Sequence, residues 1–188
     1  MDNRGRLLES ALQLFASRGY DAIGVQEVCD AASVTKPTLY HYFGNKRGLL
    51  EALVQERGGP LLVALREATA YEGDLPRSLQ GIVTTYFQFS AREPALYRLL
   101  LTSWLAIPEN EAFQVVVAFN DEQHRLVEAL FAAAVVDHGN MRGRQRTYAA
   151  TFLGMINTYI SLALQQYVTL DEAVQRQAVQ QFSYGIYS

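Results

Sequence analysis

A twelve-residue stretch, residues 35–46, concentrates side chains that commonly bind other molecules. It reads TKPTLYHYFGNK and contains two lysines, one histidine, two tyrosines and two threonines around the apolar Leu39 and Phe43. No acidic residue occurs between Asp30 and Glu51, so the stretch is locally basic in a chain whose formal net charge is −3. A local basic stretch is either the binding surface for an anionic partner or an ordinary solvated face, and the spacing of its residues must distinguish the two.

Two short helices precede this stretch and would position it. Over residues 4–18 apolar side chains recur at steps of three and four and predict a first helix that ends at Gly19. A second short helix follows, and a three-residue turn separates it from a third. Thr35 is expected to cap the third helix with a hydroxyl that accepts the backbone N–H of Thr38, while Pro37 lies in the first turn, where no N–H is needed.

On a helix, the stretch separates into an inner and an outer face. Leu39 and Phe43 are four residues apart and face inward against the first two helices. The outer face offers a cation, hydroxyls, an imidazole and aromatic rings, from Lys36, Thr38, Tyr40, His41 and Tyr42. A helix fits the DNA major groove, about 12 Å wide, where such groups meet base edges and thymine methyls. Lys46, at the start of the next helix, would bind a phosphate.

The segment LLESALQLFASRGYDAIGVQEVCDAASVTKPTLYHYFGNKRGLLEAL resembles the amino-terminal DNA-binding domain of the TetR (tetracycline-repressor-like) family of bacterial transcription regulators. The resemblance covers about residues 7–54, with Phe15, Gly19 and Tyr20 at the end of the first helix and the TLYHYFGNK signature in register. It implies a helix-turn-helix domain and a set of DNA contacts: Gln26, Thr35, Lys36, Pro37, Thr38, Tyr40, His41, Tyr42 and Lys46.

Two positions depart from the pattern of that family. Gly24 stands where a threonine or serine commonly caps the second helix, so this site offers no hydroxyl to a phosphate. Ser33 stands where the family has a turn glycine, so the serine would be strained if the turn requires a positive φ.

Beyond about residue 70 the resemblance implies architecture alone, and Gly, Pro and Asn residues mark the helix ends. A helix from Lys46 is expected to be interrupted near Gly58, Gly59 and Pro60. Further helices are predicted over about 75–91, 94–106, 110–137, 143–167 and 170–186. Because no alternating strand pattern occurs, the chain is predicted to be all-α. We assign residues 1–50 to the helix-turn-helix DNA-binding domain and residues 51–188 to a helical ligand-binding and dimerisation domain.

The last two predicted helices are expected to form a homodimer interface. The first of them has two apolar stripes and therefore needs partners on both sides: Phe152, Met155, Tyr159 and Leu162, then Leu153, Ile156, Ile160 and Ala163. Val174, Ala178 and Phe182 form a matching strip on the last helix. The resemblance implies a four-helix interface between two subunits, and a two-fold dimer suits a palindromic operator. The core of a monomer would explain the same pattern.

One stripe in the middle of the chain suggests a ligand site. Over residues 110–137, Asn120 and His124 interrupt a line of apolar side chains. They are either hydrogen-bonded core residues or the polar groups of a largely apolar pocket for a small-molecule effector. The predicted pocket residues are Trp104, Phe113, Asn120, His124, Tyr148, Phe152, Met155 and Tyr159.

Other classes of function have little support in the sequence. His41, His124 and His138 lie far apart, Cys29 is the single cysteine, and no metal-ligand spacing, nucleophile motif or phosphate-binding glycine loop occurs. We therefore expect no enzyme activity, no metal and no cofactor. The amino terminus lacks the apolar run of a signal peptide, and no window reaches the ~20 apolar residues of a membrane span. The expected location is the reducing cytoplasm, without a membrane partner.

Together these features predict a ligand-responsive transcription regulator, a repressor, that binds double-stranded operator DNA as a homodimer. A small, largely apolar effector would release it. The alternative is a helical small-molecule-binding protein that has the small domain but does not bind specific DNA.

Overall fold

The computed structural model describes residues 2–184, and this part of the chain is all-helical, as predicted. A 3-10 turn, Gly139–Met141, lies between the seventh and eighth α-helices. The helices of the described part are α1 (Asn3–Arg18), α2 (Val25–Ala32), α3 (Lys36–Phe43), α4 (Lys46–Ala68), α5 (Leu75–Arg92), α6 (Pro94–Trp104), α7 (Glu111–Ala134), α8 (Gln145–Leu164) and α9 (Glu172–Tyr184). Several are a few residues shorter than predicted, and the end predicted for α9 lies outside the described residues.

Local chemistry sets both ends of α1. The Asp2 carboxylate accepts the backbone N–H of Gly5 at 2.7 Å and so caps the first turn. At the other end Gly19 has φ 85°, a conformation that favours glycine, and its N–H donates to the Phe15 carbonyl at 2.9 Å. Leu7, Ala11 and Phe15 are fully buried, so the predicted apolar stripe is the packed face of the helix.

The turn between α2 and α3 requires a positive φ at Ser33, the position where the family pattern has a glycine. Ser33 has φ 54° and ψ 47°, the left-handed region that a side chain disfavours. The N–H groups of Ser33 and Val34 donate to the carbonyls of Asp30 and Cys29 and hold the turn in place. At the start of α2, Gly24 has an extended backbone, and the Glu27 carboxylate accepts its N–H at 3.0 Å, so the helix is capped without a hydroxyl.

The predicted cap of α3 is wrong in its chemistry. Thr35 is the N-cap residue, but its backbone carbonyl, not its hydroxyl, accepts the N–H of Thr38 at 3.0 Å. Because that N–H is already bonded, the two threonine hydroxyls pair with each other, also at 3.0 Å. The side chain of Thr35 therefore contributes to the turn through Thr38.

The interruption predicted in α4 is also wrong, since the helix runs continuously through Gly58, Gly59 and Pro60. Gly58 has a packing role, because a Cβ built there would lie 2.9 Å from Cε2 of Phe119. A larger residue would force that ring to move. The glycine thus marks a close approach inside the fold rather than a break in the helix.

The chain divides into two compact units, with boundaries inside α4 and α7. The first unit comprises the residues up to 60 together with 93–120, and the second comprises 61–92 together with the residues from 121 onward. In the first, α1 packs against α2, α3 and α6; in the second, α5 packs against α8 and α9. The functional division after residue 50 remains a prediction.

Candidate DNA interface and ligand cavity

Helix α3 turns a polar and aromatic face to solvent while one leucine anchors it. Leu39 is fully buried, whereas Tyr40 and Tyr42 are 46% and 41% exposed. Lys36 and His41 are exposed as well. Large aromatic side chains exposed next to a cation and an imidazole are available to a partner. Pro37 is exposed and Thr38 half-buried, so each residue predicted on this helix reaches solvent at least in part.

The aromatic residues of α3 contact one another along its carboxyl-terminal half. The His41 and Tyr42 rings meet edge to face with centroids 5.3 Å apart, and the Tyr42 and Phe43 centroids are 6.1 Å apart. The Arg4 guanidinium lies 5.4 Å from the centroid of Phe43 and is also paired with Glu56 of α4. Contacts from the start of α1 therefore support the end of α3.

Lys46 is less free than the sequence suggested. Its Nζ lies 3.9 Å from the centroid of the Tyr20 ring and 5.9 Å from that of Phe15. Burial lowers the pKa of Lys46, although nearby carboxylates, among them Asp21 and Glu111, oppose that shift. The ammonium is thus a partly buried charge held on an aromatic face.

Gln26 and Thr35 have partners within the fold. The Gln26 side-chain amide is exposed and donates to the Asp30 carboxylate at 2.7 Å, one turn further along α2. Thr35 is exposed and paired with Thr38 as described. A role for either residue on DNA remains a prediction.

Residues near the start of α7 contact the loop after α1 and the start of α4. The sequence pattern did not predict these contacts. The Tyr20 hydroxyl donates to the Glu111 carboxylate, and the side-chain amide of Asn110 donates to the Asp21 carboxylate. Gln114 accepts a hydrogen bond from Arg47 at 3.2 Å. These pairs are separated by roughly 70 to 90 residues in sequence, and helical spacing carries no signal for them.

The eight predicted pocket residues are divided between the two compact units. Trp104 and Phe113 stack with centroids 5.5 Å apart in the first unit, which also contains Asn120. The other five belong to the second unit: His124, Tyr148, Phe152, Met155 and Tyr159.

The second unit contains a cavity of about 460 Å³. Of the predicted pocket residues, Tyr148 lines it. Phe152 lies just behind the wall, since its ring centroid is 4.7 Å from that of the lining residue Phe182. Both apolar and polar residues line the cavity: Leu75, Pro76, Leu79, Phe131, His138, Asn140, Met141, Tyr148, Val179, Gln180, Phe182, Ser183 and Tyr184. Its volume lies in the usual range for ligand sites.

The buried face of α7 differs from the predicted one at several positions, because it contains Phe119 and Gln123 in place of Asn120 and His124. Asn120 and His124 are half-buried, whereas Gln123 is buried. Gln123 accepts the hydroxyl of the buried Tyr86 at 2.7 Å, so it is the polar residue within the apolar line. Burial lowers the pKa of His124 below its usual value.

The strip predicted on α9 faces the chain's own core. Ala178 is fully buried, and the Phe182 ring packs on Phe152 and Phe131. The outward surface of α8 instead contains small or uncharged residues, including the exposed Gly154, Thr158 and Leu162.

Among residues 2–184, no group of three or more His, Cys, Asp or Glu side chains is arranged to hold a metal ion. No helix in the same part of the chain is long and apolar enough to cross a membrane.

Comparison with known proteins points to one family. Residues 7–53 match the family model described as bacterial regulatory proteins, tetR family. The chain is 34% identical to the HTH-type transcriptional activator FasR of Mycolicibacterium smegmatis over 62% of its own length and 53% of that protein's. It is 28% identical to the HTH-type transcriptional repressor KstR2 of Rhodococcus jostii, over 71% of its own length and 66% of that protein's. The matched part thus spans between about half and two thirds of these curated relatives.

A solved structure shares the fold over nearly the whole chain. The transcriptional regulator FadR from Bacillus subtilis, in complex with stearoyl-CoA, matches with a TM-score of 0.81 at 19% identity, over 97% of this chain and 99% of that one.

Proposed function

Because the chain belongs to the tetR family of bacterial regulatory proteins, we propose that it is a repressor that binds a palindromic operator as a homodimer and is released by a small, largely apolar effector. The observation that carries this proposal is the exposure of Tyr40, His41 and Tyr42 on a short helix that the buried Leu39 holds against the fold. Exposed aromatic and imidazole side chains on the second helix of a helix-turn-helix have the chemistry of a major-groove reader.

The residues of the interface have different roles in this proposal. His41 reads a base edge, and the two tyrosine rings contact thymine methyls or phosphates. Lys36 and Lys46 bind phosphates, which adds affinity without sequence preference. Gln26, Thr35, Pro37 and Thr38 lie beside them and complete the contact surface.

The homodimer uses the outward faces of α8 and α9. Residues 147–170 contain no charged side chain, and a surface without charge over this length is suited to burial. Gly154 lies in that segment and is exposed, and a Cβ built there would have no heavy atom within 4 Å. A second helix can therefore approach the backbone closely at this position. A two-fold dimer would place the two recognition helices on half-sites about 34–36 Å apart.

The cavity of the second unit is the proposed effector site. Its leucine, valine and phenylalanine side chains suit an apolar chain, and its polar side chains suit a hydrogen-bonding end. The segment after the cavity residue Met141 carries the exposed Arg142, Arg144 and Arg146, and no acidic residue occurs from 138 to 170. An effector with an anionic end is therefore favoured. The stearoyl-CoA bound to the structurally similar FadR belongs to that chemical class.

Release follows from coupling between the two sites. The two recognition helices can enter successive major grooves only when they are one turn of DNA apart. An effector that favours a dimer with a different distance between these helices therefore weakens operator binding. Coupling of this kind typically amounts to about 1–3 kcal/mol, or roughly 5- to 150-fold in affinity.

The test is a gel-shift experiment with DNA that flanks the protein's own gene, in competition with random duplex. The proposal expects a complex that resists random DNA and dissociates as stearoyl-CoA is added. Equal affinity for both duplexes would support the alternative, a helical small-molecule-binding protein without specific DNA binding.

A charge reversal tests the effector site. Arg142→Glu combined with Arg144→Glu should raise the stearoyl-CoA concentration needed for release by roughly tenfold and leave operator affinity unchanged. Arg92→Glu, at the opposite end of α5 from the cavity residues Leu75 and Leu79, is the matched control and should change neither. An unchanged response in the double variant would place the effector elsewhere.

A further inference from the structure

The ring of Tyr20 connects Glu111, the first residue of α7, with Lys46, the first residue of α4. The Glu111 carboxylate accepts the hydroxyl of Tyr20, and the Lys46 ammonium lies 3.9 Å from the centroid of the same ring. Tyr20 is buried and its ring also meets Phe15 edge to face at 5.1 Å, so the phenol has little freedom to turn. The position of the ammonium is therefore set by a ring that is fixed on two sides.

The hydrogen bond strengthens the attraction between ring and ammonium. A phenol that donates to a carboxylate gains electron density in its ring, and the face of an electron-rich ring attracts a cation more strongly. The partial burial of Lys46 excludes some water, so the interaction is less screened than on an open surface. An ammonium held from one side still has N–H groups free to donate on the other.

Two flanking contacts keep Glu111 in place. Asn110, the residue before it, donates to the Asp21 carboxylate, and Gln114, three residues after it, accepts from Arg47. The start of α7 is thereby joined to the loop after α1, at Tyr20 and Asp21, and to the start of α4. All of these residues lie within the first compact unit.

We infer that Tyr20 and Glu111 are positioning residues for DNA binding, which hold the Lys46 ammonium where it meets an operator phosphate. The inference rests on the proposed function, because it assigns a role to residues that do not themselves touch DNA. It also identifies the first turn of α7 as a point at which a movement of that helix changes DNA affinity through Lys46.

Two conservative variants test this inference, and for the first of them the direction of the change in DNA affinity is decisive. Glu111→Gln removes a negative charge, which by long-range electrostatics alone should strengthen binding to polyanionic DNA. The inference predicts the opposite, a loss of about two- to fivefold on operator and random duplex alike, because the cation is held less well. Tyr20→Phe keeps the ring but removes the hydroxyl, and should give a loss of similar size.

Glu109→Gln is the matched control. It removes the same charge two residues earlier, from an exposed side chain that is not the acceptor of the Tyr20 hydroxyl, and should leave affinity equal to or slightly above that of the wild type. Thermal unfolding of each variant confirms that the fold is retained.

A double-mutant cycle separates positioning from general support of the fold. In a Lys46→Ala background, Glu111→Gln and Tyr20→Phe should cause no further loss of DNA affinity, since the cation that they position is gone. Losses that add to that of Lys46→Ala would overturn the inference and leave the proposed function intact. A wild-type protein that binds neither operator nor random DNA would overturn both.

Discussion

Tyr86 of α5 and Gln123 of α7 form a hydrogen bond inside the second unit, in which the phenol hydroxyl donates to Oε1 of the amide at 2.7 Å. The two residues are 1% and 8% exposed, so the polar pair lies among apolar side chains. A buried amide or hydroxyl that loses a hydrogen bond costs free energy, and this bond gives each residue one partner. The bond fixes the relative register of the two helices.

The first prediction concerns this pair. Gln123→Leu should lower the free energy of unfolding by about 1–3 kcal/mol, because the Tyr86 hydroxyl loses this acceptor. The double variant Tyr86→Phe with Gln123→Leu should recover a large part of that loss, since no polar group of the pair is then left in place. Urea unfolding of the three proteins measures the effect, and a Gln123→Leu protein as stable as the wild type would contradict it.

The second prediction concerns the close approach at Gly58. Glycine to alanine inside a helix normally gains up to ~1 kcal/mol, and Gly59→Ala should show this gain because a Cβ built there meets nothing within 4 Å. Gly58→Ala should instead destabilise by about 1–3 kcal/mol, since its Cβ would lie 2.9 Å from the Phe119 ring. Adding Phe119→Leu should relieve the clash, and the unfolding free energies of this set provide the measurement. Equal gains at both glycines would show that the ring moves without cost.

The third prediction separates base reading from phosphate binding. His41→Ala should reduce the ratio of operator to random-duplex affinity by roughly 5- to 100-fold, the equivalent of about 1–3 kcal/mol of discrimination. Lys46→Ala should weaken binding to all duplexes alike and lower the slope of log affinity against log salt by about one. Fluorescence anisotropy at several salt concentrations measures both quantities. If both variants lose affinity equally on the two duplexes, His41 does not read a base.

The fourth prediction concerns assembly through α8. Leu162→Asp or Gly154→Glu would place a carboxylate in the proposed apolar seam, where an unpaired buried charge costs several kcal/mol, so the dimer should dissociate at micromolar concentration. Val136→Asp is the matched control, because Val136 is 88% exposed and lies after α7, outside the proposed seam. Sedimentation velocity gives the oligomeric state. A dimer that survives both α8 substitutions would exclude this face.

The fifth prediction follows from the half-buried His124. Burial lowers its pKa in the folded protein below that of the unfolded chain, so the unfolded state binds the proton more readily. The neutral His124 therefore makes its full contribution to the free energy of unfolding above the unfolded pKa of about 6.5. That contribution is lost as the pH falls below this value toward the lower pKa of the folded protein. His124→Leu should reduce the fall in melting temperature between pH 7.5 and 5. An identical pH dependence in the variant would show that other groups cause it.

Local sequence determines the conformation of α3 and which of its side chains reach solvent. Eight residues of α3 form two turns, and helical geometry alone places Leu39 and Phe43 on one side and Tyr40 and His41 on another. Ser33 is a different case, because the family resemblance marked its position as a turn glycine and the structure gives it a positive φ. Neighbours within four residues interact with each other whatever the rest of the chain does, and this is why the sequence suffices for α3.

Contacts between distant segments could be decided only by the tertiary structure. A stripe of apolar residues shows that a helix face is buried but does not identify the surface that buries it. The sequence was therefore compatible with Phe182 in a dimer interface, whereas in the structure Phe182 packs on Phe152 of the same chain. Gln123, rather than Asn120 or His124, lies in the buried line because a shift of one residue turns a helix face by about 100°. The hydrogen bond from Tyr20 to Glu111 joins residues 91 positions apart, and its partners are specified by how whole helices pack, a property that no local pattern contains.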